Sequence, residues 1–112
     1  MDVTYKNHKL RKYAEDKSFS ERKLGSMRSE LYLKRIEDLL VAETLEDTRS
    51  LPGNYHELKH NRKGQWACDL DQPYRLIFEP HEDPIPTNED GRYIWLEIKG
   101  VEIIEIADYH EK

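Results

Sequence analysis

Gln65-Trp66-Ala67-Cys68-Asp69-Leu70-Asp71-Gln72-Pro73-Tyr74-Arg75-Leu76-Ile77-Phe78-Glu79 holds two runs of alternating character around one turn. In the first run Trp66, Cys68 and Leu70 share one face of an extended chain, and Ala67 and Asp69 share the other. In the second, Tyr74, Leu76 and Phe78 fall together. Successive side chains of a pleated strand point to opposite sides, so this period of two predicts strands with one buried face. Asp71-Gln72-Pro73 is a turn short enough to join antiparallel neighbours.

Downstream, residues 80–92 contain Pro80, Pro84, Pro86 and Gly91 and predict a mobile acidic loop. A last strand is clearest over residues 101–106, bounded by Gly100 and followed by the charged tail Asp108-Tyr109-His110-Glu111-Lys112. Upstream, Tyr55-His56-Glu57-Leu58 is short and extended, with Asn61-Arg62-Lys63-Gly64 as the next turn. Before Gly53 the period becomes helical. Leu10, Tyr13 and Ala14 predict a short helix near residues 7–16, after a short strand at Val3-Thr4-Tyr5. Ser18-Phe19-Ser20-Glu21 reads as a capping box with Ser18 as N-cap. The helix that follows is broken at Gly25-Ser26, and Tyr32, Leu33, Ile36, Leu39 and Leu40 form a broad stripe running to about Glu43. Residues 44–53 form a polar connection closing on the turn signal Leu51-Pro52-Gly53. Helices first and strands afterwards predict an α+β fold, with N-terminal helices packed on one face of a small, mainly antiparallel sheet. The other face is left open to a ligand.

The 112 residues leave room for one domain, expected to span residues 1–112. Hydrophobic and charged residues each make up 37 %, but seven Tyr, two Trp and two Phe argue against a disordered chain. The longest apolar runs, such as Leu39-Leu40-Val41-Ala42, are far too short to cross a bilayer, so no membrane partner is expected. The N-terminus lacks the basic-then-apolar layout of a signal peptide, and a cytoplasmic protein is expected. The single cysteine, Cys68, excludes an internal disulfide and a multi-cysteine zinc site. Charge is divided unevenly. Residues 1–36 hold ten Lys and Arg against five Asp and Glu, and residues 37–112 hold eight against eighteen, for a net charge of −5. Such a chain can present a basic surface to nucleic acid, and Lys9, Arg11, Lys12, Arg22, Lys23 and Arg28 are its candidates, with Arg62 and Lys63 in the later turn. The plainer reading is that these side chains solvate amphipathic helices.

His56 and His60 have the i, i+4 spacing of a helical metal pair, but their segment does not read as helical and no third ligand is near; no metal or other cofactor is expected. With Arg75, Lys59 and His110 the histidines make a coherent set for another chemistry. Cleaving RNA without a metal requires a base for the 2′-hydroxyl, an acid for the leaving 5′-oxygen and cations for the phosphorane. Imidazole suits proton transfer near neutrality, Arg and Lys suit phosphate, and Tyr can stack on an unpaired base. A strict strand would point His56 and Lys59 to opposite faces, so one of them has to lie where the strand bends.

Leu51-Pro52-Gly53-Asn54-Tyr55-His56-Glu57-Leu58-Lys59, then Arg62-Lys63-Gly64-Gln65-Trp66, then Tyr74-Arg75-Leu76-Ile77-Phe78 and finally Asp108-Tyr109-His110 occur in an order that resembles the HigB branch of the RelE/ParE toxin superfamily. The resemblance runs from about residue 51 to 110; the helical first half fits in order and length but carries no diagnostic motif. It implies a RelE-like fold and a type II toxin of the plasmid-maintenance killer kind. Its activity would be that of a ribosome-dependent mRNA endonuclease that inhibits translation. The partners implied are the ribosome, mRNA and a helix-turn-helix antitoxin of HigA type, which would hold the toxin inactive in a hetero-oligomer. Carried over by motif, His56, Lys59, Arg75, Asp108, Tyr109 and His110 match the catalytic residues. His56 or His110 would be base or acid, Lys59 and Arg75 would stabilise phosphate, Tyr109 would orient or stack on the base and Asp108 would position His110 or another group. The chain departs from the pattern in three ways. His60 stands where glycine is frequent, residues 80–92 are longer than a hairpin needs, and the acidity is unexpected for a protein that sits on ribosomal RNA. Two other readings are a non-catalytic protein-binding toxin like the gyrase-poisoning ParE group, and a decayed member that only binds its antitoxin.

Overall fold

The computed structural model describes residues 1–108, so Tyr109 and His110 lie outside the described residues. Strands β1 (Asp2–Tyr5), β2 (His56–Glu57), β3 (Trp66–Asp69), β4 (Tyr74–Pro80) and β5 (Gly100–Asp108) form one sheet in the order β1-β5-β4-β3-β2. All neighbours are antiparallel except β1 and β5, which run parallel. Helices α1 (His8–Glu15), α2 (Lys17–Leu24) and α3 (Ser26–Val41) pack on one face, the α+β arrangement that the periods predicted. None of the described helices is long and apolar enough to cross a membrane.

The core joins Leu10 and Tyr13 of α1 and Tyr32, Ile36 and Leu39 of α3 to the even-numbered side chains of the hairpin, among them Trp66, Cys68, Leu76 and Phe78. Tyr32, Leu39, Trp66 and Phe78 have no exposed surface. The helical stripe is narrower than the sequence suggested. Leu40 is 53 % exposed, because it sits about 100° round the axis from Leu39, and Ser29 and Arg35 take part in the buried face instead. α3 also ends at Val41, before Glu43, where the ammonium of Met1 donates to the carbonyls of Leu39, Leu40 and Ala42. A cation there complements the negative end of the helix dipole.

Ser18 is not the cap of α2. Asp16 is, with extended backbone and a carboxylate accepting the Phe19 N–H at 3.0 Å, while Ser18 Oγ accepts from Arg22 inside the helix. The same Asp16 closes α1, so the two helices share one hinge residue and the carboxylate reaches the orphan N–H two positions before the serine could. Asp16→Ala is expected to cost about 1 kcal/mol, read from thermal or urea unfolding.

Residues 80–92 follow a path defined by hydrogen bonds and packing. Asn88 Oδ1 accepts from the N–H groups of Asp90 and Arg92, Thr87 bridges Tyr93, and Ile85 packs on the core. Beyond them Tyr93 meets Trp95 edge-on at 5.1 Å, and Trp95 meets Trp66 at 5.3 Å. The proline content reads as loop, but two aromatic side chains just past its end staple the segment down. At its base His81 donates to or accepts from Thr4 Oγ1 at 2.7 Å, and its ring occupies the space that a side chain at Gly100 would need.

Cys68 is fully buried in β3, and burial pushes its thiol well above the usual range. The thiolate is therefore not populated near neutrality, and thiol reagents are expected to modify Cys68 only on unfolding. Labelling followed by mass spectrometry with and without denaturant checks this.

Candidate functional site

The face of the sheet away from the helices carries the candidate chemistry. Residues opposite each other on neighbouring strands share a face, and the register aligns His56, Ala67, Ile77 and Glu105 in one row across β2, β3, β4 and β5. Asp69, Arg75 and Ala107 form the next row. Ala67 and Ile77 are fully buried and make the floor. Ile104 has no partner in the register, because β5 holds one extra residue between Ile103, opposite Phe78, and Glu105, opposite Ile77. This bulge reverses the alternation along β5 and puts Glu105, rather than Ile104, in the row of His56.

α3 positions His56. The guanidinium of Arg35 packs against Gly53, where φ is +119° and a Cβ would come within 2.9 Å of it; Arg35 Nε also donates to the Asp69 carbonyl at 2.8 Å. Burial pushes the Tyr55 phenol above its usual range, and its hydroxyl donates toward Asp38 and the Arg35 carbonyl at 3.4 Å. From this anchored segment His56 Nδ1 lies 2.7 Å from the Asn54 carbonyl. A carbonyl only accepts, so Nδ1 carries a proton, and the lone pair of the neutral ring is on Nε2.

Lys59 is the residue at the bend. It is exposed and precedes a 3₁₀ turn, His60–Arg62. His60 in that turn has φ +58°, the left-handed conformation for which glycine is the ordinary choice. Arg75 faces Asp69 directly across the hairpin at 3.6 Å, an electrostatic pairing too long for a hydrogen bond. Asp108 pairs with Tyr74, whereas Ala107 pairs with Arg75. Alternation therefore gives Asp108 the register of the helix-covered face and not that of His56 and Arg75.

The basic residues divide between the two sides. On the helical side Lys12, Arg22 and Lys23 surround Phe19 at 4.4, 5.8 and 5.9 Å, Arg11 lies 5.9 Å from the Tyr5 ring, and Lys9 is exposed on α1. Arg28 is already committed. It donates twice to Asp71, at 2.9 and 3.1 Å, and stacks on Tyr74 at 3.6 Å, and the Asp71 hydrogen bond holds its guanidinium still more firmly charged. On the open side Arg62 bonds Glu105 and Gln65, and Lys63 lies 5.6 Å from Tyr93. Beside them a cleft of about 480 Å³ opens between this turn and the base of the following loop, lined by Arg62, Lys63, Glu79, His81, Glu82 and Glu102. Among the described residues no three His, Cys, Asp or Glu side chains converge as a metal-binding group.

Sequence reasoning missed Glu105, Gln65, Glu79 and Glu102 on this face. The alternation of β4 could have exposed Glu79. Glu105 could not be found in that way, since the bulge defeats counting by twos.

No protein-family model matches the chain, and no curated protein matches it by sequence. Among solved structures, the chain is similar to one described as a YoeB/ParE toxin from Agrobacterium tumefaciens, with a TM-score of 0.48 and 12 % sequence identity, over 98 % of this chain and 100 % of that one.

Proposed function

We propose that this chain, as one cytoplasmic domain, is the toxin of a type II toxin–antitoxin pair and blocks translation as a ribosome-dependent mRNA endonuclease. The observation that carries the reading is that His56 and Arg75 come from separate strands, β2 and β4, onto the same face of the sheet, the one away from the helices. The ordered motifs that end in Asp108-Tyr109-His110 support it.

The reaction that these groups suit needs no metal. His56 Nε2 takes the proton of the 2′-hydroxyl, the 2′-oxygen attacks the adjacent phosphorus, and the bond to the 5′-oxygen breaks. The leaving 5′-oxygen takes a proton from His110, and a 2′,3′-cyclic phosphate remains. Lys59 and Arg75 stabilise the charge on the phosphorane and Tyr109 stacks on the base, while Asp108, whose register is that of the other face, takes no part in the reaction. The Lys9, Lys12, Arg22 and Lys23 side chains dock on ribosomal RNA from the helical side, and a helix-turn-helix antitoxin holds the toxin inactive.

A second reading, a toxin that binds a protein target without cleaving RNA, is favoured by one observation. Both open-face arginines are balanced internally, Arg75 by Asp69 and Arg62 by Glu105. Induced expression with mapping of mRNA 5′ ends, with and without a helix-turn-helix protein encoded beside the toxin gene, separates the two. Codon-phased new ends that vanish with the neighbour are expected; growth arrest without new ends overturns the nuclease. Cleavage on intact ribosomes is also expected to survive a chelator, provided free magnesium is held high enough to keep them assembled.

A further inference from the structure

The Arg62–Glu105 contact has a geometry that the proposed reaction does not use. Arg62 Nη2 donates to Glu105 Oε2 at 2.6 Å and Nη1 donates to Gln65 Oε1 at 2.7 Å. Gln65 Nε2 in turn donates to Glu79 Oε1 at 3.1 Å. Arg62 starts in the turn before β3 and Glu105 lies on β5, so the bridge crosses β3 and β4 over the row that His56 begins. A guanidinium recognises carboxylate and phosphate with the same planar fork, and both terminal nitrogens of this fork are occupied from within the chain. Glu79 and Glu102 stand directly opposite each other nearby, adding negative charge where a polyanion would approach.

We propose that Glu105 is an internal stand-in for a backbone phosphate of single-stranded RNA, an autoinhibitory contact that the RNA has to displace to reach Arg62. The side chains are 34 % and 43 % exposed, so water and salt already weaken the pair and a phosphate can compete for the fork. The choice of RNA as the ligand rests on the nuclease reading; the occlusion of Arg62 does not.

The test measures binding of a short single-stranded RNA carrying 2′-O-methyl groups, which cannot attack its own phosphate, across a series of salt concentrations. Glu105→Gln is expected to bind about two- to fivefold tighter than the native protein, the fold-change that one half-exposed ion pair represents. The slope of log affinity against log salt should steepen by about 0.7, the value for one further phosphate contact on a single strand. Both gains should vanish in the Arg62→Gln/Glu105→Gln double variant. Glu105→Ala, checked with the others by thermal unfolding, should repeat the gain and guard against an effect of the amide. Equal affinity and slope in Glu105→Gln and native protein would overturn the proposal, as would a gain that persists without Arg62. Absence of binding by every protein at low salt also overturns it, whereas the nuclease reading stands or falls separately on the mapped mRNA ends.

Discussion

His56→Ala and Arg75→Ala are each expected to reduce mRNA cleavage by on the order of 10²–10⁴-fold and to abolish growth arrest, while the proteins stay folded. His56 is half-buried at a sheet edge, and its ring hydrogen-bonds the carbonyl of exposed Asn54. Its removal therefore costs about 1 kcal/mol of stability or less. Arg75 is partly exposed and faces Asp69 across the hairpin at 3.6 Å, and a pair that reaches solvent contributes on the order of 1 kcal/mol. A shift of this size is a few degrees in a chain of 112 residues and leaves the fold intact at growth temperature. Colony formation, mapped mRNA ends and melting temperature on the same proteins make the comparison. Undiminished toxicity of both variants would remove the open face from the mechanism.

Trp66→Ala should do the opposite, removing function by removing the fold. Trp66 is fully buried in β3, touches Trp95 edge-on at 5.3 Å and lies under the Arg49 guanidinium at 4.7 Å. Truncating a buried aromatic to alanine costs about 3–5 kcal/mol, a large part of the roughly 5–15 kcal/mol that holds a domain of this size together. The melting temperature should fall by roughly 12–25 °C. The loss extends beyond β3, because Trp95 and through it Tyr93 rest on this ring and tie the segment before β5 to the core. Urea unfolding, with protease resistance around residues 81–99, would show both effects; a midpoint within a few degrees of native would refute the central role given to Trp66.

Sequence alone determined what neighbouring residues decide among themselves. The alternation of Trp66, Cys68 and Leu70 against Ala67 and Asp69 is a property of consecutive positions, as are the break at Gly25 and the spacing of Tyr32, Ile36 and Leu39. Those periods were enough to place helices on one side of a sheet and to put His56 and Arg75 on strands. They did not choose Asp16 over Ser18 as the cap, because both offer an oxygen and only the path of the chain between α1 and α2 selects one. Nor did they foresee that residues 80–92 would be held by Tyr93 and Trp95, since the aromatic partner Trp66 is about thirty residues away.

The electrostatics of the open face belong to the tertiary structure still more completely. Arg62 and Glu105 are 43 residues apart in the chain and meet only because β5 lies beside β4 and carries an unpaired residue at Ile104. Remove that bulge and Glu105 turns to the helices, since one residue of register exchanges the two faces of a strand. Local periodicity records which side of an element is apolar. Which charged side chains then meet across the sheet is set by strand pairing and register, interactions between segments far apart in the chain.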